Sequence, residues 1–245
     1  TVVQSSARAI ASAQASAKKA ADLVAPAQKR KVDAEALQKK LETDLAAAGL
    51  GTLKPMKADK IAGTYKSPIK WTHGYEAKPD SPCPIVVGRH FRGIKNGPSP
   101  DWLQRRLKAI GLRPISALVD ITNVVTFDLN RPLHVFDADK LHAPVTVRLA
   151  RPGERLTALD GKVYVFDGSE TLVCDAHGPE SIGGVMGGLR TGVTEETTSV
   201  LLEAAWWDPV TVRRTARRLG MHTDASHRFE RGADHDAIPG ALALA

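Results

Sequence analysis

The sequence predicts an α+β fold, and three observations carry that expectation. Ser99-Pro100-Asp101-Trp102 is a helix start, with Ser99 as N-cap and Pro100 at the first helical position. Downstream, short apolar runs alternate with turn signals, above all Asp160-Gly161 between Leu159 and Val163-Tyr164-Val165, which predicts a β-hairpin. Two further helices close the chain, one opened by Asp208-Pro209 and one by Thr223-Asp224.

Three segments are expected: 1–43, 44–84 and 85–245. The first is rich in Ala, Ser, Gln and Lys, with basic clusters at Lys18-Lys19, Lys29-Arg30-Lys31 and Lys39-Lys40. Leu37, Leu41 and Leu45 fall at helical spacing and predict a helix ending near Gly49. The part before them is too small and polar for a core, which leaves a solvated helix or a disordered segment. Gly51, Pro55, Gly63, Pro68, Gly74, Pro79, Pro82 and Pro84 make the second segment an extended connector. The third opens with Ile85-Val86-Val87-Gly88 and His90-Phe91-Arg92, read as one strand with a glycine irregularity. Leu103, Leu107 and Ile110 form the buried stripe of the helix that Gly111 ends. Val145-Thr146-Val147-Arg148-Leu149 alternates as a half-buried strand, and Leu172-Val173-Cys174 and residues 199–205 are further strands. Of the closing helices, the first stops at Gly220 and the second runs to Arg231-Gly232.

Composition excludes several classes. The chain has 245 residues, 42% hydrophobic, enough for a sizeable core, and its apolar runs are all shorter than a membrane span needs. Cys83 and Cys174 form no disulfide framework, which suits a reducing cytoplasm. A net charge of +7 favours an acidic partner such as nucleic acid. Gly183-Gly184-Val185-Met186-Gly187-Gly188 lacks the helix and downstream acid of a dinucleotide site, and no Lys-Ser/Thr pair makes it a Walker A loop. His222, Asp224 and His227 have no further ligand at a standard spacing, so no metal is predicted. Neither a serine elbow nor a Cys/His pair points to covalent catalysis.

What remains is a set of polar groups in apolar settings. Thr122 and Asn123 interrupt an apolar run, and Pro132-Leu133-His134 brings an imidazole beside Phe136. Such groups position a water or bind a small polar ligand; equally, Asn123 satisfies a turn and His134 is a half-buried core histidine. Glu203 stands inside Val200-Leu201-Leu202-Glu203-Ala204-Ala205, where a carboxylate needs a partner or a function. The glycine run either lines a ligand or makes a tight turn. Arg213, Arg214, Arg217 and Arg218 form one basic helical face, available to phosphate or to solvent.

Five segments in order, GPSPDWLQRRLKAIGLRPISALVDITN, RPLHVFDADKL, GGVMGG, LLEAAWWDP and RRTARRLGMHTDASHRFERGAD, resemble the β subunit of bacterial phenylalanyl-tRNA synthetase, specifically its B3/B4 editing module. The resemblance covers the chain from about Pro84 onward. It implies layered mixed and antiparallel β-sheets packed against helices, and hydrolysis of tyrosine wrongly attached to tRNA(Phe). Carried over by motif, Thr122, Asn123 and His134 line the editing pocket with Gly184, and Glu203 recognises the tyrosine hydroxyl. The departures are Val124 where the family usually has Tyr, Asn130 where it has Gly, and Gly183 and Val135 where Ala is common. Asn130 tolerates the left-handed conformation, so the turn is expected to survive.

The resemblance further implies that this domain needs no cofactor, ATP and Mg being used at the α subunit of the complete enzyme. It implies as partners the tRNA(Phe) acceptor end and the α subunit in an α2β2 assembly, with no membrane association. The chain starts at Thr1, and its first 43 residues match no family segment, so a fragment or an atypical start is expected. The chemistry expected is attack of a positioned water on an activated ester, without a protein nucleophile. Two other readings stand beside it: a non-catalytic RNA-binding or assembly scaffold, and a free-standing trans-editing hydrolase.

Overall fold

The computed structural model describes residues 36–37, 39–52, 62–76, 78 and 80–245, and the chain divides into two compact units, Thr1–Lys57 and Ala58–Ala245. In the first unit residues 39–47 are helical. The helix ends as its leucine spacing predicts: Gly49 takes a φ of +67° and Leu50 N–H donates to the Leu45 carbonyl at 3.0 Å. Of its leucine stripe, Leu37 is 67% exposed and Leu41 49%, while Leu45 is half-buried. The reading of residues 1–35 lies outside the described residues.

The second unit contains ten strands among its described residues, β1 to β10 in chain order. A mixed sheet runs β1 (Trp71–His73), β4 (Val145–Leu149), β7 (Thr171–Asp175), β8 (Gly178–Ile182) and β9 (Met186–Gly187), parallel only between β1 and β4. A three-stranded antiparallel sheet has β10 (Ser199–Trp206) between β2 (Ile85–Arg92) and β3 (His134–Asp137). The Asp160-Gly161 signal is realised as a hairpin, β5 (Arg155–Thr157) with β6 (Val163–Val165), and Gly161 has φ +78°. With the helices below, this is the α+β architecture that the sequence predicts.

β10 organises the site. It is buried along almost its whole length, and the period-2 alternation of a strand separates its two faces. Val200, Leu202 and Ala204 pack with Val135, Ile238 and Leu242 in one cluster, while Leu201 and Ala205 join the main core with Phe136 and Trp207. Glu203 shares the parity of Leu201 and Ala205, so it points to the main-core face.

Five helices follow the same logic. α1 (Asp101–Ala109) buries Leu103 and Leu107, but Ile110 lies past its last turn and is 53% exposed. Ser99 does not cap it. Pro100 stands at the N-cap without a side-chain bond, and the Ser99 hydroxyl donates to the carboxylate of Asp120. Asp120 is fully buried at the start of α2 (Ala117–Leu129), and its other oxygen accepts from Ile115 N–H at 2.9 Å. Satisfying that carboxylate outweighs one cap bond. Asn130 ends α2 in the left-handed region at φ 51°. α3 (Pro209–Leu219) is capped by Asp208, which accepts from Thr211 N–H at 2.7 Å, and stops at Gly220 with φ 65°. α4 (Asp224–Phe229) is capped by Thr223 and ends before the expected Arg231.

Three features depart from the sequence reading. Trp71–His73, inside the stretch read as connector, pairs as β1. β2 shows no irregularity at Gly88, since its register with β10 is continuous. Gly88 instead makes room for a ring, because a Cβ there would lie 2.2 Å from Trp71 Nε1. Finally, α5 (Ile238–Leu244) follows the two helices expected to close the chain, and its Ile238 and Leu242 dock one turn apart against β10.

Candidate functional site

Antiparallel pairing sets Glu203 of β10 opposite His134 of β3 on one side and Gly88 of β2 on the other. Directly opposed residues share a face of the sheet. The imidazole and the carboxylate therefore stand side by side, and the Trp71 ring fills the space over Gly88. Both open onto a pocket of about 430 Å³, whose wall includes Gly184, Met186, Trp207, Thr223 and Phe229.

The glycine run makes part of the wall. Val185 N–H donates to the Ile182 carbonyl at 2.9 Å, closing a turn in which Gly184 has φ +70°. Each glycine sits where a side chain has no room. A Cβ at Gly183 would lie 2.6 Å from the Trp207 ring, one at Gly184 2.9 Å from Val212, and one at Gly187 2.2 Å from His134 Cε1. The Gly187 backbone therefore packs closely on the imidazole, which also meets the Phe136 ring in a T-shaped contact at 4.3 Å between centroids. His134 is held between a backbone and an aromatic ring, without a hydrogen bond. Thr223, expected only as a cap, also donates to the Val185 carbonyl at 2.8 Å and ties the glycine turn to α4.

The electrostatics follow from enclosure. His134 Nε2 and Glu203 Oε2 are both sealed from solvent without a partner. Burial pushes the imidazole down to about 4 and the Glu203 carboxyl up to about 8, the latter against the pull of Arg131. At neutral pH the imidazole is uncharged and offers one N–H and one lone pair. Among the described residues five carboxylates are buried: Asp120, Asp137, Glu170, Glu180 and Glu203. The first four are met by Ser99, Lys140, Arg218 and Arg190 respectively. Glu203 alone among them has neither an ion pair nor a hydrogen bond, so an unsatisfied acceptor faces the pocket, a costly arrangement unless a ligand completes it.

Of the residues singled out in the sequence, the structure brings His134, Glu203 and Gly184 together. Thr122 and Asn123, expected at the pocket, are not among the residues lining it. They stand on α2, where the Thr122 hydroxyl is buried and donates to the Val119 carbonyl of its own helix at 2.7 Å. Val124 likewise lines a separate groove with Leu107, Ile110 and Phe127, so this departure from the family falls outside the pocket. On α3, Arg213, Arg214 and Arg217 are exposed, whereas Arg218 is held by the buried Glu170 and by Asp167 at 3.4 Å. Sequence reading missed Arg131, which is fully buried beside the pocket, and Trp207, Thr223 and Phe229 in its wall. The signal for the last three was present in the WWDP and HTDASHRF motifs, but nothing local in them points to a cavity.

The sequence of this unit matches a known domain class. The B3/4 domain model matches residues 82–245, and the chain belongs to that family. Its relatives are phenylalanine–tRNA ligase beta subunits. That of Cereibacter sphaeroides is 53% identical over 194 residues, covering 79% of this chain and 24% of the relative. That of Mesorhizobium japonicum is 54% identical over 198 residues, covering 80% and 24%. The chain thus spans about a quarter of the length of the curated relatives it matches. Among solved structures, an N-terminal fragment of the phenylalanyl-tRNA synthetase beta subunit from Pyrococcus horikoshii aligns with a TM-score of 0.42 and 17% identity, over 65% of this chain and 51% of that one.

Proposed function

We propose that this chain is part of a phenylalanine–tRNA ligase beta subunit and that its pocket hydrolyses tyrosine mischarged onto tRNA(Phe). The observation that carries the reading is the unpartnered Glu203 carboxylate, buried opposite His134 in a pocket of about 430 Å³. A phenol in that pocket supplies the hydrogen bond that Glu203 lacks. A phenyl ring leaves it unpaired, which is how a site rejects an analogue lacking one hydroxyl.

The reaction needs only water. Its oxygen adds to the ester carbonyl carbon, the bond from that carbon to the ribose oxygen breaks, and the ribose oxygen leaves with a proton. The products are free tyrosine and uncharged tRNA. Neutral His134 orients the water, and backbone N–H groups at the Gly184 turn face the developing oxyanion. Arg213, Arg214 and Arg217 are the cations offered to tRNA phosphates. In this reading ATP and Mg act at the α subunit of a cytoplasmic α2β2 ligase. Among the described residues no helix is long and apolar enough to cross a membrane.

The test is deacylation of Tyr-tRNA(Phe) and Phe-tRNA(Phe) by the chain and by Glu203→Ala, above pH 8, where the Glu203 carboxyl is ionised. The expected result is faster release of tyrosine than of phenylalanine, with that preference reduced about ten- to a hundredfold in the variant, since a hydrogen bond to a charged group is worth roughly 1.5–3 kcal/mol. A folded protein that releases neither amino acid above the uncatalysed rate refutes editing by this chain. A preference untouched in the variant refutes recognition by Glu203.

A further inference from the structure

Arg131 is the one buried arginine or lysine among the described residues. It follows the left-handed Asn130 and precedes Pro132, which lines the pocket. One guanidinium nitrogen, Nη2, donates to the carbonyl of Ala205, two residues along β10 from Glu203. Nε and Nη1 are sealed from solvent without a partner. The guanidinium lies 5.6 Å from the ring centroid of Phe229, itself in the pocket wall. A single bond to a carbonyl does not explain a fully buried cation, because burying an unpaired charge is costly. Two carboxylates act on it, the exposed Asp234 and then Glu203, and of these only Glu203 is as buried and as unpaired as Arg131 itself.

We propose that Arg131 is a positioning residue acting through Glu203: its buried cation draws that carboxylate into the ionised, accepting form and so sets the pH above which the pocket separates a phenol from a phenyl side chain. This rests on the reading of Glu203 as the group that recognises tyrosine. Charge-assisted hydrogen bonds are roughly twice as strong as neutral ones, so ionised Glu203 discriminates better than its protonated form. The groups facing Glu203 are Arg131 from the turn after α2, His134 from β3 and Cys83 from the segment before β2. His134 and Cys83 are both held uncharged by burial, and Asp234, after α4, faces Arg131 and supports its cation. Arg131 is therefore the charge that Glu203 responds to. Its own proton, held down to about 10 by burial, stays on throughout the neutral range.

The experiment is a carbon-13 NMR titration of the glutamate side-chain carboxyls in the 245-residue chain, with the Glu203 signal assigned by its loss in Glu203→Gln. Arg131→Gln keeps a donor for the Ala205 carbonyl and removes the charge; Arg131→Lys keeps the charge. The expected result is a Glu203 midpoint displaced upward by about one unit or more in Arg131→Gln, and by less than about half a unit in Arg131→Lys. In the same variants the tyrosine-over-phenylalanine deacylation ratio should begin its rise at the correspondingly higher pH. An unchanged midpoint in Arg131→Gln overturns the proposal, as does a Lys variant displaced as far as the Gln variant. A displaced midpoint with an unmoved pH profile of the ratio also overturns it. If Arg131→Gln loses cooperative unfolding, Arg131→Met takes its place under the same criterion, and loss of folding in both assigns Arg131 to the fold alone and overturns the proposal. The titration needs no tRNA. A chain that fails to deacylate while its Glu203 midpoint still follows Arg131 contradicts the editing function and not the coupling.

Discussion

Gly187 leaves no room for a side chain against His134, and that allows a quantitative test. Gly187→Ala places a methyl 2.2 Å from His134 Cε1 and 2.7 Å from Nε2. Ordinary van der Waals contact begins near 3.4 Å, so the ring and the strand must separate by about 1.2 Å. The Phe136 ring at 4.3 Å blocks the retreat of the imidazole, so the adjustment strains both neighbours. Gly187 has no positive φ, and the cost is steric rather than conformational. Overpacking of this kind costs about 1–3 kcal/mol. A displacement near 1 Å in a positioning group costs about a hundredfold in rate. The decisive assay is a cycle: Gly187→Ala, His134→Ala and the double substitution, each measured by urea unfolding and by release of tyrosine from Tyr-tRNA(Phe). In the double variant the new methyl enters the space left by the imidazole, so it should be more stable than the sum of the singles by about 1–3 kcal/mol. Strict additivity, within about 0.5 kcal/mol, refutes the contact as the source of the effect.

Other expectations follow from the same geometry. The Glu203 carboxyl, raised by burial to about 8, is protonated in the folded chain where the unfolded chain, near 4.5, has lost its proton. Its contribution is therefore full below the unfolded value and is lost as pH rises toward 8. His134, lowered to about 4 from 6.5, has the opposite sign and costs stability as pH falls from 6.5 to 4. The two oppose each other below 6.5, so the unfolding free energy should decline between about pH 6.5 and 8, and Glu203→Gln should flatten that decline; an equally steep decline in the variant refutes the assignment. On α3, Arg214→Glu should weaken tRNA binding and lower its salt slope by about one without changing the thermal midpoint. Arg218→Glu should instead destabilise the chain, because it strands the buried Glu170; removing one member of a buried pair costs about 3–5 kcal/mol, and the partial exposure of Arg218 puts this at the lower end. A thermal midpoint unchanged in Arg218→Glu contradicts that division of labour.

Much of this protein was legible in its sequence because the signals act within a few residues. The hairpin at Asp160-Gly161, the Asp208 and Thr223 caps, the Gly220 stop and the left-handed Asn130 all stand where local chemistry put them. Glu203 was conspicuous for the same reason, a carboxylate inside an apolar strand. Tertiary structure decided the rest, since only contacts between distant segments determine it. Whether Glu203 faces a core, solvent or a ligand depends on the register of β10 against β3 and β2, and that register is set by burying both faces of β10 at once. Gly88 looked like a strand defect until the Trp71 ring, brought by β1, filled its place. Thr122 and Asn123 read as pocket groups, but the turn of α2 spends the Thr122 hydroxyl on its own backbone. Arg131 gave no local sign of burial, because an arginine before a proline is ordinary surface chemistry. Only the closing of β10 and α4 around it removes the water and leaves its charge to act on Glu203.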